Sequence, residues 1–555
     1  MSLFQEERSA SARSRRSAAM VRTAAVASSD PGSDRARTLF DVIVGTVIFL
    51  GLLLLFLLKA PGIEFYLNSR DHGYQLSIGT QVLLGKVPGI DLPIAYGPLV
   101  MYTSALGLWF THSLIGETIL CSTGYALSVF LLYHLVSRYA SKWLGLVAAG
   151  FGLLLQARFY KWYLWLIPMA ILWMSHRYLN SPPTRRWRWI ITGGSILGIG
   201  WLFRPDFGTT NLLACLVFLG LVEASEPPRG AVRVLRALGL FLASFSIFPL
   251  AWLGYVVARC GILAPLTYLG NTVQAALSIA SAMSQPPPPI RSLIVAYWLM
   301  PLSYLIAFAI VWQRSRTRKL DVRYWFLLSS ALVGTACLHQ AMHRMGPAHL
   351  LQIIPAAIIC TSLIASALFS GAEGLGLPVH AKTLIRVAGV GYAVLLVSIG
   401  LKLSRWGQSD LDAFSLWPVD RYSGLADPLG RSDRNPRLAA LSTVTKLTNP
   451  GEPILVFPID CQYYALTQRR ISGRQVAYFA GLFHSPRDRE RNLEAIRAEL
   501  PKLVIVPSDF ETSPETTPEP LVGEGRRAHQ NIEGFIRQEY PRVVVNEGGI
   551  VVLSR

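Results

Sequence analysis

The chain has 555 residues, of which 52% are hydrophobic and 15% are charged, and its mean hydropathy is +0.39. Average soluble domains carry about 25% charged residues, so the composition excludes a soluble enzyme, a disordered protein and a disulfide scaffold and predicts a polytopic membrane protein. The net charge of +19 would also suit a nucleic-acid binder, but Lys and Arg of membrane proteins collect in cytoplasmic loops. We therefore expect membrane lipid, and no nucleic acid, among the partners.

Residues 1–38 are rich in Ser, Ala and Arg but include four carboxylates. The carboxylates argue against a transit peptide, and we predict a disordered basic cytoplasmic tail. The apolar run 39–58 follows and is long enough to span a bilayer. Between it and residue 403 lie a short apolar stretch that suggests a re-entrant or interfacial helix, 97–110, and ten more candidate spans: 113–136, 143–157, 162–178, 189–203, 209–222, 237–258, 293–312, 324–338, 348–369 and 386–403.

The distribution of basic residues fits eleven spans in the membrane domain 39–403. With the N-terminus in the cytoplasm, the predicted cytoplasmic loops hold 16 Lys and Arg residues, and the longer loops on the opposite side hold nine. This asymmetry is the one that sets orientation in membrane proteins. It places the C-terminus on the outer side.

Residues 404–555 differ from the membrane domain because they contain 19 basic and 19 acidic residues. Short apolar runs predict strands, and longer amphipathic segments predict helices. The predicted strands are Pro453–Phe457, Leu503–Val506, Val543–Val545 and Ile550–Leu553, and the predicted helices are Glu490–Leu500 and Asn531–Tyr540. The fold class is therefore mainly α, with about eleven transmembrane helices and a small C-terminal extracytoplasmic α/β domain.

The predicted outer loop 59–112 carries two carboxylates, Asp71 at the start of a helical segment and Asp91 about 20 residues later. A carboxylate here can take a proton from a hydroxyl nucleophile or hold a hard cation beside a phosphate. Structural interpretations stand beside these, because Asp71 can cap the helix and Asp91 can pair with Lys86. The local sequence leaves both alternatives open.

Four segments of this loop resemble the first outer loop of the GT-C integral-membrane glycosyltransferases. They are Arg70–Tyr74, Leu84–Pro88, Asp91 and Tyr96–Leu99. The bacterial branch related to protein O-mannosyltransferases and to aminoarabinose transferases of lipid A has an acidic residue just after the first span. A Leu-Leu-x-Gly-x-x-Pro-x-x-Asp stretch and a Gly-Pro or Pro-Pro pair follow it. The motif covers about 30 residues, whereas the layout of spans and outer domain is similar over most of the chain.

The resemblance implies an activity and roles for the loop residues. Such enzymes move a sugar from a polyprenyl-phosphate carrier to an acceptor hydroxyl on an envelope glycan, a lipid or a protein, at the outer face of the bacterial inner (plasma) membrane. Asp71 looks like the catalytic or metal-associated acid and Asp91 like the second acid, with Mg²⁺ or Mn²⁺ as the candidate cation. Arg70, His72 and Glu117 would support them.

Two further segments offer cations for a lipid phosphate. In Phe203–Gly208, Arg204 is a candidate phosphate ligand supported by Asp206, although the two side chains can also simply pair with each other. In His339–His349, Arg344 and His349 are candidate phosphate ligands, but the acid that related proteins often carry in this segment is missing. The alternative is a solvated loop whose His side chains cap helix ends.

The basic and aromatic turn Arg158–Trp162 fits an interfacial belt better than a sugar site. Two other function classes also remain open. A flippase or transporter of lipid-linked sugar would show internal repeats and charges at the membrane midplane, and neither is evident here. An envelope-assembly scaffold would act through its outer domain without catalysis.

Overall fold

A computed structural model describes residues 31–59, 70–155, 159–226, 230–282, 291–317, 320–342, 347–371, 438–478, 486–510 and 525–555. Most of the predicted N-terminal tail, the eleventh predicted span at 386–403, and Arg158 and Arg344 lie outside these ranges. Arg70 is described for its backbone alone.

The membrane domain is an assembly of helices. In chain order they are α1 (Pro31–Lys59), α2 (Arg70–Leu83), α3 (Pro98–Thr111), α4 (Leu114–Tyr139), α5 (Lys142–Leu154), α6 (Tyr163–Leu179), α7 (Arg186–Phe203), α8 (Pro205–Ser225), α9 (Ala231–Cys260), α10 (Ala264–Ala282), α11 (Arg291–Thr317), α12 (Val322–Cys337), the single turn α13 (His339–Met342) and α14 (Pro347–Gly371).

Each predicted span that falls within the described ranges coincides with one of these helices. Within the described ranges, four segments are long and apolar enough to cross a membrane: Leu114–Tyr139, Pro205–Ser225, Ala231–Cys260 and His349–Ser366. Two shorter apolar helices lie at Val42–Leu58 and Lys142–Leu154. The chain is therefore a membrane protein by length and composition of its helices, and the count of about eleven spans stays a prediction.

Local sequence explains where several helices begin. Ser113 accepts a hydrogen bond from the Ile115 N–H and caps α4, and Ser141 accepts one from the Leu144 N–H and caps α5. Pro98 and Pro205 occupy the first positions of α3 and α8, where a missing N–H costs nothing. Helix α10, by contrast, lies in a segment expected to be loop. Its Thr, Asn, Gln and Ser residues dilute the apolar periodicity that identifies the other helices.

The C-terminal domain contains a five-stranded sheet in the order β2–β1–β3–β5–β4. Its elements are α15 (Leu438–Leu447), β1 (Pro453–Val456), α16 (Gln462–Thr467), β2 (Arg470–Ile471), α17 (Pro486–Ala498), β3 (Val504–Pro507), α18 (Gln530–Glu539), β4 (Arg542–Glu547) and β5 (Ile550–Ser554). Strand β1 is parallel to β2 and β3, whereas β5 is antiparallel to β3 and β4. The predicted strands and helices are confirmed. The sequence analysis missed α15, α16 and β2, all of them short.

The two faces of strand β1 pack on different partners. Ile454 and Val456 join the same buried cluster as Tyr74 and Ile78 of α2, whereas Leu455 and Phe457 belong to a separate cluster with residues of α17 and α18. Alternate residues of a strand point to opposite faces. The sheet therefore lies between its own helices and α2, the helix that begins beside Asp71.

Side-chain hydrogen bonds fasten the sheet edge to α2. Gln81 Nε2 donates to the Arg469 carbonyl at 3.0 Å, and Gln81 Oε1 accepts from the Ile471 N–H at 3.0 Å. Ser77 donates from its hydroxyl to the Cys461 carbonyl. The position of the C-terminal domain over α2 is thus fixed by polar contacts as well as by apolar packing.

Candidate functional site

Asp71 lies in the first turn of α2, which begins at Arg70, so it is inside the helix and does not occupy the cap position. Its Oδ2 atom accepts a hydrogen bond from the Tyr160 hydroxyl at 3.1 Å and lies 3.4 Å from Lys161 Nζ. The Lys161 side chain is 5% exposed, whereas that of Asp71 is 39% exposed. A buried ammonium group thus holds a carboxylate that remains open to a substrate.

His72 connects Asp71 to α4. Its ring stacks on the Tyr160 ring with centroids 4.9 Å apart, and its Nε2 atom lies 3.5 Å from Glu117 Oε1. Glu117 is buried in the first turn of α4 and accepts a hydrogen bond from the Ser104 hydroxyl at 3.0 Å. Of the predicted supporting residues, His72 therefore follows Asp71 in α2 and Glu117 lies beside His72.

The Tyr96 ring lies between two cations. Lys161 Nζ is 5.1 Å from the ring centroid, and the Arg204 guanidinium carbon is 5.5 Å from it. Such distances are within the range of cation–π attraction. Tyr96 therefore joins the Asp71–Lys161 pair to Arg204, which lies more than 100 residues after Asp71 in the chain.

Gly97 permits this arrangement. Its N–H donates to the Phe203 carbonyl at 2.8 Å, and a Cβ atom at this position would lie 2.0 Å from the Leu202 carbonyl oxygen. No side chain fits at that distance, so only glycine lets the first loop approach the junction of α7 and α8. The Tyr-Gly-Pro sequence thereby carries Tyr96 to Arg204.

Arg204 and Asp206 form the bidentate pair expected as one alternative. Arg204 Nε and Nη2 donate to the two Asp206 oxygens at 3.0 and 2.7 Å, and Nη2 also donates to Gln340 Oε1 at 2.8 Å. Asp206 additionally accepts from Gln340 Nε2 at 2.6 Å, and His339 Nε2 lies 3.4 Å from it. The guanidinium is held in a fixed orientation with its charge largely balanced by Asp206.

Asp91 has a different environment. Its Oδ2 atom accepts a hydrogen bond from the Val87 N–H at 2.7 Å and closes a turn over residues 87–91. The ion pairs formed within the described part of the chain do not include one between Asp91 and Lys86.

His349 lies in the first turn of α14 and is half-buried. The geometry thus brings together Asp71, His72, Glu117, Arg204 and Asp206.

Within the described part of the chain, the partners of Asp71 are not those of a typical divalent-cation site. These partners are an ammonium group and a phenol hydroxyl, which compete with a metal ion for the carboxylate oxygens. Within the described ranges, no three His, Cys, Asp or Glu side chains lie close enough to hold a metal ion. The carboxylate cluster is instead suited to accept a proton next to fixed positive charges.

Sequence reasoning missed Lys161, Tyr96 and Gln340 as members of this cluster. The turn containing Lys161 was interpreted as an interfacial belt because aromatic and basic residues commonly collect there. A charged residue beside an otherwise apolar helix was the available signal. Its partner, Asp71, is 90 residues away, and no local pattern identifies such a contact.

Comparison of the chain with protein-family profiles and with curated protein sequences finds no match. Among solved structures, ArnT from Cupriavidus metallidurans bound to undecaprenyl phosphate is similar, with a TM-score of 0.52, 13% identity, and coverage of 92% of this chain and 97% of that one. Its apo structure gives a TM-score of 0.50 at 13% identity and covers 93% and 98%. The oligosaccharyltransferase of Archaeoglobus fulgidus gives a TM-score of 0.40. The chain therefore shares the fold of ArnT.

Proposed function

We propose that this protein is a membrane glycosyltransferase that takes a sugar from a polyprenyl-phosphate carrier and transfers it to an acceptor hydroxyl at the outer face of the membrane. The observation that carries the proposal is the cluster of Asp71, Lys161, Tyr96 and Arg204, in which a partly exposed carboxylate pairs with a buried ammonium group and the Tyr96 ring lies within reach of that ammonium group and of the Arg204 guanidinium. The fold is that of ArnT, which has been crystallised with undecaprenyl phosphate. Base and cations are the two elements that such a transfer requires.

Asp71 is the proposed general base. The acceptor O–H gives its proton to the carboxylate while the acceptor oxygen bonds to the anomeric carbon of the sugar, and the bond between that carbon and the phosphate oxygen breaks. Tyr160 and Lys161 keep Asp71 oriented before the transfer. The 39% exposure of its side chain leaves room for the hydroxyl.

Lys161 and Arg204 are the proposed partners of the leaving polyprenyl phosphate. Negative charge develops on this phosphate as the glycosidic bond breaks, and fixed cations in a water-poor site stabilise it. Asp206, Gln340 and His339 hold Arg204 in place. Arg344 and His349, predicted as further phosphate ligands, remain proposals, as does an assisting role for Asp91 beyond its turn.

Purified protein in lipid nanodiscs and synthetic undecaprenyl-phosphate sugars test the proposal. Wild-type protein should release undecaprenyl phosphate and glycosylate an acceptor, and Asp71→Asn should lower the rate by about 10²- to 10⁴-fold while the protein stays folded. Transport of the lipid-linked sugar without product would support the flippase. If the protein shows neither transfer nor transport, the scaffold is the remaining alternative. A folded Asp71→Asn protein with the wild-type rate would exclude Asp71 as the base.

A further inference from the structure

The C-terminal domain contributes a segment next to Asp71. A Cβ atom at Gly73, two residues after Asp71, would lie 3.0 Å from Gln462 Cβ and 3.2 Å from its backbone nitrogen. The neighbouring Cys461 carbonyl accepts the hydrogen bond from Ser77, one turn further along α2. The segment Asp460–Gln462 is therefore seated directly on the first turns of the helix that carries the proposed base.

Charge effects at Cys461 agree with this placement. Burial raises the pKa of the Cys461 thiol, and the negative charges of Asp460 and Asp71 add to the rise. The pKa of this one thiol is thus raised by a carboxylate from each domain. Asp460, like Asp71, is only partly buried.

Gln462 shows what kind of ligand this segment would take. Gln462 as a whole is only 3% exposed. Its Nε2 atom donates to Asp460 Oδ1 at 3.3 Å. Because a carboxylate accepts, the amide is oriented with nitrogen toward Asp460. Its Oε1 atom is buried and has no hydrogen-bond partner within the described part of the chain. A buried acceptor of this kind calls for a donor.

We propose that Asp460 and Gln462 bind hydroxyl groups of a sugar ring beside Asp71, an inference that rests on the proposed transfer reaction. Both side chains offer acceptor oxygens, which hydroxyl groups satisfy and which a phosphate would not. The sugar is either the ring on the polyprenyl carrier or a ring of the glycan acceptor. In either case the C-terminal domain completes the substrate site that the membrane domain begins.

Full-length protein in nanodiscs, with Asp460→Asn and Gln462→Leu as variants, tests the proposal. The matched control is Glu494→Gln, an exposed carboxylate of the same domain. Dissociation constants are measured for undecaprenyl phosphate, for undecaprenyl-phosphate-linked glucose, mannose and arabinose, and for the soluble trisaccharides maltotriose and mannotriose. Size-exclusion profiles and thermal melting establish that each variant is folded.

We expect both site variants to weaken binding of a sugar-bearing probe by about tenfold, the effect of one lost hydrogen bond to a charged or buried group, with undecaprenyl phosphate unaffected. Loss limited to the lipid-linked sugars assigns the donor ring, and loss limited to the trisaccharides assigns the acceptor. Unchanged binding of every sugar, or equal weakening of undecaprenyl phosphate, overturns the proposal. A wild-type protein that binds sugars but not undecaprenyl phosphate contradicts the proposed carrier and leaves the hydroxyl site standing.

Discussion

Substitution of Lys161 by Met tests the link between the Asp71 pair and the leaving phosphate. The change keeps an unbranched side chain of similar volume and removes an ammonium group that lies 3.4 Å from Asp71 Oδ2 and 5.1 Å from the Tyr96 ring centroid. Loss of one preorganised donor at a developing negative charge lowers kcat by about 10²- to 10³-fold, or about 2.7–4 kcal/mol. We expect a decrease of that size in sugar transfer.

The same substitution should leave the protein folded. Breaking a fully buried ion pair costs about 3–5 kcal/mol, but water reaches Asp71, whose side chain is 39% exposed, so the cost here is smaller. Lys161→Arg keeps the positive charge and should retain part of the activity. Lys142→Met, the same change at an exposed lysine at the start of α5, is the matched control and should have no effect.

The assay is transfer of a radiolabelled sugar from an undecaprenyl-phosphate donor in nanodiscs, together with the dissociation constant for undecaprenyl phosphate. A double-mutant cycle with Asp71→Asn measures whether the two residues act as one unit, in which case the effects of the single changes do not add. A folded Lys161→Met protein with the wild-type rate and the wild-type affinity for undecaprenyl phosphate would refute the reasoning.

Three further outcomes follow from the contacts. Arg204→Gln should weaken undecaprenyl phosphate binding by at least about tenfold, and an unchanged dissociation constant would exclude Arg204 as a phosphate ligand. Chelation with EDTA should leave transfer intact, and loss of activity that Mg²⁺ or Mn²⁺ restores would support the metal prediction instead. Burial alone would raise the pKa of Glu533, but hydrogen bonds from Arg526 and Arg537 outweigh it and lower that pKa below 4.5. The stability that Glu533 gains from the two arginines should therefore be present above about pH 4.5 and be lost as the pH falls further. Glu533→Gln should accordingly lower the melting temperature at pH 7, and the difference from the wild-type melting temperature should become smaller in acid.

The sequence was most informative about helices whose apolar pattern is strong. Each predicted span within the described ranges has its helix, because a bilayer demands long apolar segments. Helix α10 lacked such a pattern and was missed. Strand β2 has two residues and is defined by its pairing with β1. Pairing between distant segments produces no local sequence pattern by which such a strand could be predicted.

The candidate site likewise contains residues that the sequence identifies and contacts that it does not. Arg204 stood out because a charge next to an apolar helix is costly unless it pairs or functions, and Asp71 stood out as an acid of the first outer loop within the motif that resembles the family. Their connection through Tyr96 and Lys161 depends on contacts that join four separate segments of the chain. Asp91, by contrast, matched the family motif but binds a backbone N–H four residues away. A sequence motif identifies a residue but does not show which other residues that residue contacts in the fold.

The two hydrogen bonds of Gln81 also bear on how this protein can be produced. Strand β2 is at the edge of the sheet, and the Gln81 amide occupies the outward-facing N–H of Ile471 and carbonyl of Arg469, as a peptide group of an added strand would. Edge strands left uncovered recruit other chains and aggregate. An expression plasmid encoding residues 438–555 alone would uncover this edge, so a soluble fragment for antibody or crystallisation work needs the edge blocked by a fused helix or a charged substitution.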